Sequence, residues 1–189
     1  TLRSMVQRHY PHPHRFVCIT DDTTGLYGVE TIPLWSDHAT LIAPTGPRNP
    51  SCYRRLKLFD PAIESLLGPR FVSLDLDCVI LKDLTPLWHR DEDFVMWGDT
   101  NPKTHYNGSM VLMNAGARAK VWTDFHPKES PKQAMQRFIV RCAADKRLCR
   151  LKRLVADLDE RHAGIAGGDA FNLALVADVV VALRAISAA

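Results

Sequence analysis

Asp75-Leu76-Asp77 is the segment whose residue types and spacing could do chemistry. Two carboxylates two residues apart leave the same face of an extended chain. At that separation they repel unless a cation lies between them. Hard divalent cations such as Mn2+ and Mg2+ prefer carboxylate oxygens and also bind substrate phosphates. A cation held there could neutralise a departing diphosphate. The plain alternative is a solvated acidic turn closing a strand. The context favours the metal or phosphate role. Phe71-Val72-Ser73-Leu74 leads into the pair and Cys78-Val79-Ile80-Leu81 follows it. The acids are thus carried into apolar surroundings, where unpaired charge is costly.

The elements that must position this pair can be read from apolar patterning. Arg15 to Thr20 is a short apolar run ending in Asp21-Asp22, which reads as a buried strand and a polar loop. Val29 to Trp35 is a weaker strand candidate, and residues 43 to 51, with three prolines and a glycine, read as a loop. Tyr53 to Leu67 shows helical spacing of Leu56, Phe59, Ile63, Leu66 and Leu67, broken into two short helices by Pro61. Gly68-Pro69 ends that segment.

Phe71 to Leu74, Phe94 to Trp97 and Met110 to Asn114 read as further strands, and Ala117 to Phe125 as a helix. Ser130-Pro131 is a helix start, with Ser as cap and Pro at the first position. The Ala, Val and Leu-rich tail after Phe171 reads as a terminal helix. Thr1 to Tyr10 reads as part of a helix cut without a cap. Alternating strands and helices predict an α/β domain with a mostly parallel central sheet flanked by helices. Ligands of such sheets bind beyond the carboxyl ends of the strands. Both acidic clusters, Asp21-Asp22 and Asp75-Asp77, fall there.

Composition sets the frame. The 189 residues fit one domain, and 46% hydrophobic with 24% charged residues is ordinary for a globular chain. A net charge of +3 does not call for a nucleic-acid partner. The five cysteines (Cys18, Cys52, Cys78, Cys142 and Cys149) include no CxxC pair and are expected to be reduced thiols in a cytoplasmic protein. No run of about 18 apolar residues is present to span a bilayer.

Residues 137 to 153 carry seven basic residues against Asp145. They read either as a solvated surface helix or as a basic amphipathic face for peripheral contact with anionic lipid at the inner face of the membrane. Phe138 is the one aromatic residue among these charges, too few for a stacking surface, which argues against nucleic acid. His9, His12 and His14 cluster, but Pro11 and Pro13 interrupt them, and a metal site is not expected there.

The ordered segments Tyr53-Arg54-Arg55-Leu56-Lys57-Leu58-Phe59, Phe71 to Ile80, Asp83 to Trp88 and Tyr106 to Asn114 resemble the centre of a GT-A fold glycosyltransferase. The closest broad group is that of glycogenin and the bacterial galactosyltransferases, and the resemblance spans roughly residues 15 to 125. It implies a GT-A, Rossmann-like sheet and transfer of a sugar from a nucleotide diphosphate sugar, with uridine the expected base. The acceptor would be a hydroxyl, as on a glycan or a lipid-linked saccharide. It implies that Asp77 ligates Mn2+ or Mg2+, and that Asp75 contacts the ribose and reaches the metal. Arg54 or Lys57 would approach the donor, and Asn107, Gly108 and Ser109 would line the sugar pocket. Asp21 and Asp22 join this donor-binding set. Arg54 and Lys57 read equally as surface charges, and Asn107-Gly108 reads also as a turn before a strand.

The chain departs from that pattern in three places. Nothing matches the family's first, base-binding strand, so the expectation is one domain over residues 1 to 189 that lacks it. Gly168-Asp169 only partly resembles the acidic motif beside the acceptor, which leaves Asp169 as either a catalytic residue or a helix cap. The late histidine ligand has no clear counterpart, His162 being nearest. Two rival functions stay open. One is a haloacid-dehalogenase-like phosphatase, whose nucleophile loop Leu74 to Val79 resembles and whose late acidic motif Gly168-Asp169 resembles. The other is an inactive truncated relative that acts as a binding module.

Overall fold

The computed structural model describes residues 1–42, 52–98, 106–127, 149–150 and 178–183. Its centre is a seven-stranded sheet. The strands are β1 (His14–Thr20), β2 (Glu30–Pro33), β3 (Arg70–Leu74), β4 (Phe94–Gly98), β5 (Tyr106–Asn114), β6 (Cys149–Arg150) and β7 (Asp178–Leu183). Their order across the sheet is β2-β1-β7-β3-β5-β4-β6. The helical elements are α1 (Leu2–His9), a 3-10 helix (Cys52–Phe59), a 3-10 turn (Pro61–Ile63), α2 (Glu64–Leu67), α3 (Thr85–Trp88) and α4 (Lys120–Thr123).

The mixed α/β class agrees with the sequence, but the expectation of a mostly parallel sheet needs correcting. Two ladders, β1–β2 and β4–β6, are parallel, and the other four are antiparallel. The cause is intercalation. β1, β2, β3, β4 and β6 all point one way, while β7 is inserted between β1 and β3 and β5 between β3 and β4, each in the opposite sense. The carboxyl ends of five strands therefore still share one sheet edge.

β7 is a second correction, because the tail was expected to be helical. Val180 and Val181 are fully buried, and Val180 pairs with Val17 on one side and Ser73 on the other. β-branched side chains suit a strand covered on both faces. Apolar content alone does not separate such a strand from a buried helix.

Alternation divides the core in two. Val17, Ile19, Phe71, Phe94, Met96, Val111, Met113 and Val180 face a layer containing Tyr53, Leu56, Phe59, Ile63 and Leu67. Cys18, Val72, Leu74, Val95, Leu112 and Val181 face Leu2, Val6, Tyr10, Leu87 and Trp88. Both faces are covered, which is why the strands read as continuous apolar runs.

The helices are shorter than their patterns suggest. Cys52–Phe59 is a 3-10 helix, whose three-residue period stacks Tyr53, Leu56 and Phe59 on one buried face. Pro61 opens the next turn with Asp60 as its cap, and Gly68, at φ +86°, ends α2 by donating its N–H to the Glu64 carbonyl at 2.8 Å. The helix expected over Ala117 to Phe125 is confined to Lys120–Thr123 and is preceded by turns. The first helix, expected to be uncapped, has Thr1 as its cap, accepting from the Ser4 N–H at 3.4 Å.

The helix read from Ser130 lies outside the described residues. So does most of the basic run, but Cys149–Arg150 within it pairs as a strand with β4 instead of continuing a helix. Among the described residues no helix is long and apolar enough to cross a membrane.

Candidate functional site

The alternation that buries Phe71 and Ser73 against the 3-10 helix carries forward to Asp75, one residue past β3. Asp75 meets Arg55, projecting from that helix, in a part-buried ion pair. The chain then turns. The Cys78 N–H donates to the Asp75 carbonyl at 3.2 Å, and Leu76 and Asp77 sit exposed at the tip. The acidic pair therefore spans a turn and not the extended segment expected, so the same-face argument for its carboxylates does not hold. One carboxylate is held by a guanidinium and the other faces solvent.

The start of β5 closes this turn. The Asp75 N–H donates to the Ser109 carbonyl at 2.9 Å, and Cys78 Sγ donates to the same oxygen at 3.4 Å. Burial first, and then the neighbouring Asp75 carboxylate, push the Cys78 thiol up to about 11. Asn107, Gly108 and Ser109 belong to β5 and do not form a free turn ahead of it. The β4–β5 register shifts there, from Met96 opposite Val111 to Trp97 opposite Asn107. That bulge sets Gly108 and Ser109 beside the acidic turn, in the kind of irregularity that often borders sites.

Asp21 and Asp22 lie past the end of β1 at the same sheet edge. With β7 between β1 and β3, the two strand ends are roughly 10 Å apart, two strand spacings. The Asp22 carboxylate accepts the Thr24 N–H at 2.8 Å, and that bond holds its carboxyl below the usual range. Asp22 is thus a turn-former as well as a candidate contact. Asp21 is exposed.

Arg54 and Lys57 are directed elsewhere. Arg54 donates to the Trp35 carbonyl. Lys57 pairs with Asp60 at 2.9 Å and Asp37 at 3.5 Å, and its ammonium lies 4.8 Å from the centre of the Trp122 ring. Both occupy one face of the 3-10 helix, three residues apart, while Arg55 sits on the next face and reaches Asp75. Arg55 is the site residue that sequence reasoning missed. The resemblance pointed to Arg54 and Lys57, whereas the next position, about 120° round the 3-10 helix, turns Arg55 toward Asp75. Asp169 and His162 lie outside the described residues.

The oxygens that the turn leaves for a ligand are those of the Asp75 and Asp77 carboxylates, since the Ser109 carbonyl already accepts from the Asp75 N–H and the Cys78 thiol. That chemistry suits a hard cation that keeps open positions for phosphate and water. Among the described residues no group of three or more His, Cys, Asp or Glu side chains converges on a point. Asp75, against Arg55, and Asp77, facing solvent, are the side chains at this turn that could offer oxygens to a cation. A solvent-open cleft of about 470 Å³ lies at the opposite sheet edge, lined by Arg3, Gln7, His12, His14 and Glu30 among others. Its strand residues, His14, Phe16 and Glu30, lie at the amino ends of β1 and β2, away from the strand ends that carry these carboxylates.

Comparison of the chain with protein-family models, with curated proteins and with solved structures finds no match.

Proposed function

We propose that the chain is a metal-dependent glycosyltransferase that moves a sugar from a nucleotide diphosphate sugar, with uridine the expected base, to a hydroxyl acceptor such as a glycan or lipid-linked saccharide. A GT-A arrangement of the sheet belongs to the same proposal. The observation that carries it is the meeting of the Asp75-Leu76-Asp77 turn with Ser109, on the strand that also carries Asn107 and Gly108, at the carboxyl edge of five co-directional strands.

In this reading Asp77 and Asp75 would hold Mn2+ or Mg2+, which when bound neutralises charge on the departing diphosphate. Arg55 shifts from Asp75 toward the phosphate oxygens, a charge-assisted contact suited to its planar donors. Gly108 leaves room for the sugar, and the Ser109 carbonyl holds the acidic turn in place. The acceptor hydroxyl forms a bond to the anomeric carbon, the bond from that carbon to the diphosphate breaks, and the hydroxyl proton passes to a base.

Calorimetric titration of UDP with Mn2+, then with EDTA, tests the reading. Binding that requires the metal is expected. Absence of binding in both buffers, with the protein folded, would sink it.

A further inference from the structure

At the sheet edge opposite Asp75, α1, the start of β1 and α3 meet through a cluster of rings. Tyr10, only 2% exposed, lies with its ring centre 5.1 Å from His12, 4.7 Å from Trp88 and 5.6 Å from His89. The His12 and His89 rings are 4.5 Å apart. Tyr10 Oη and His89 Nε2 are hydrogen-bonded at 2.8 Å, and His12 Nε2 and Thr85 Oγ1 at 3.2 Å. The Leu84 N–H donates to the His9 carbonyl at 2.8 Å. These three bonds tie α3 to the end of α1. They also fix the far end of the loop that begins at Asp75, whose near end is fixed by Ser109.

We infer that the His12–His89 stack is an acid-sensitive latch on the Asp75–Leu84 loop, closed while the imidazoles are neutral and opened when both are protonated. The latch acts on the loop whatever chemistry the loop serves. The charged and titratable groups facing the stack are His9 and Tyr10 from the end of α1, His14 from β1, Arg70 from β3 and Asp83 from the loop. Protonation of both rings would add two cations beside Arg70, whose own charge is offset by Glu92, Asp91 and Asp93, and the carboxylate that acts on His89 itself is that of Asp83. That carboxylate already accepts the Thr85 N–H at 2.9 Å.

Burial, then His12 and Arg70, hold the His89 imidazole below its ordinary 6.5, against a smaller opposing pull from Asp83. A lowered value means that the latched state takes up a proton less readily than the open one. Latching is therefore complete above 6.5 and weakens as pH falls below it, toward the lowered value.

Amide hydrogen exchange, corrected for the intrinsic chemical rate, reads the latch. Protection of the Leu84 amide should fall several-fold between about pH 7.5 and about pH 5, across the imidazole range, while β3 amides hold theirs. A His12→Gln, His89→Gln double variant should lose this pH dependence. Leu84 protection that does not change with pH, or a fall that persists in the double variant, overturns the proposal. If the double variant does not fold, NMR titration of the histidines in the wild-type chain decides. His89 titrating at or above the ordinary imidazole value refutes the latch, and titration below it, together with the Leu84 response, supports it.

Discussion

The Asp75 N–H donates to the Ser109 carbonyl across 2.9 Å, joining two segments that lie far apart along the chain. The bond continues the pairing of Leu74 with Met110 by one residue beyond β3. It falls where β5 bulges away from β4. Main-chain pairing thus fixes the start of the acidic turn, while its tip, Leu76-Asp77, stays exposed. Backbone bonds fix the turn, while the Asp75 carboxylate pairs with Arg55 and that of Asp77 faces solvent. The two carboxylates can therefore be altered without dismantling the sheet.

Asp77→Asn should leave thermal stability within about 0.5 kcal/mol of wild type, as for surface changes that break no structural contact. It should abolish metal-dependent UDP binding and any sugar transfer. Near-normal turnover by this variant, measured with a radiolabelled donor, would remove Asp77 from the metal site.

Arg55→Gln separates the ion pair with Asp75 from the neighbouring arginine. The pair is part-buried, with side-chain exposures of 23% and 26%, so its loss should cost about 1 kcal/mol or less in urea unfolding. A charged hydrogen bond to diphosphate contributes about 2 kcal/mol, so UDP affinity in Mn2+ should drop by roughly 30-fold. Arg54→Gln, which severs the contact with the Trp35 carbonyl, should leave affinity unchanged. The reverse ranking in calorimetry would return the donor role to Arg54.

How much of this was legible in the sequence depends on what each signal measures. β1, β3 and β4 were found within a residue or two because their apolar runs are bounded by acids or turns. The acidic pair at the end of β3 was found for the same reason. β7 was missed because Val179-Val180-Val181 within an alanine-rich tail satisfies a buried helix as well as a strand. Its place between β1 and β3 is a long-range fact that no local pattern records. The mostly parallel sheet failed with it, since inserting β7 and β5 converts parallel neighbours into antiparallel ones. Arg55 was missed because Arg54 and Lys57 rested on the resemblance, which gave the residue beside Arg54 no role, and only the fold brings Arg55 to Asp75.

Cys78 should be nearly inert to iodoacetamide in the folded protein. Its thiol is raised from 9.0 to about 11, so the thiolate fraction at pH 8 is about a hundredfold smaller than in the unfolded chain. Because the folded value is the higher one, the neutral thiol adds stability below pH 9.0, and that contribution is lost as pH rises from 9.0 toward about 11. Mass-spectrometric rates of alkylation at Cys78, with and without urea, check this. Equal rates in the two states would mean that the thiol is not desolvated against Ser109.

β7 carries the last prediction, because of where it sits. It alone lies between β1 and β3, which make no ladder with each other. Removing it would split the sheet into β2-β1 on one side and β3-β5-β4-β6 on the other, with two unpaired edges where each strand had a partner. It would also strip Val180 and Val181 from the two core layers that they join. A chain ending at residue 177 should therefore lose cooperative unfolding and near-ultraviolet dichroism, since domain stabilities of about 5–15 kcal/mol cannot absorb the loss of a central strand. Val180→Asp, which places an unpaired carboxylate at a fully buried position, should do the same in the full-length chain. Val180→Ala should cost about 2 kcal/mol and leave the transition cooperative. A terminal helix docked on the surface would give a different result. The shortened chain would then melt within a few degrees of the intact one, and the order of strands across the sheet would have to be redrawn.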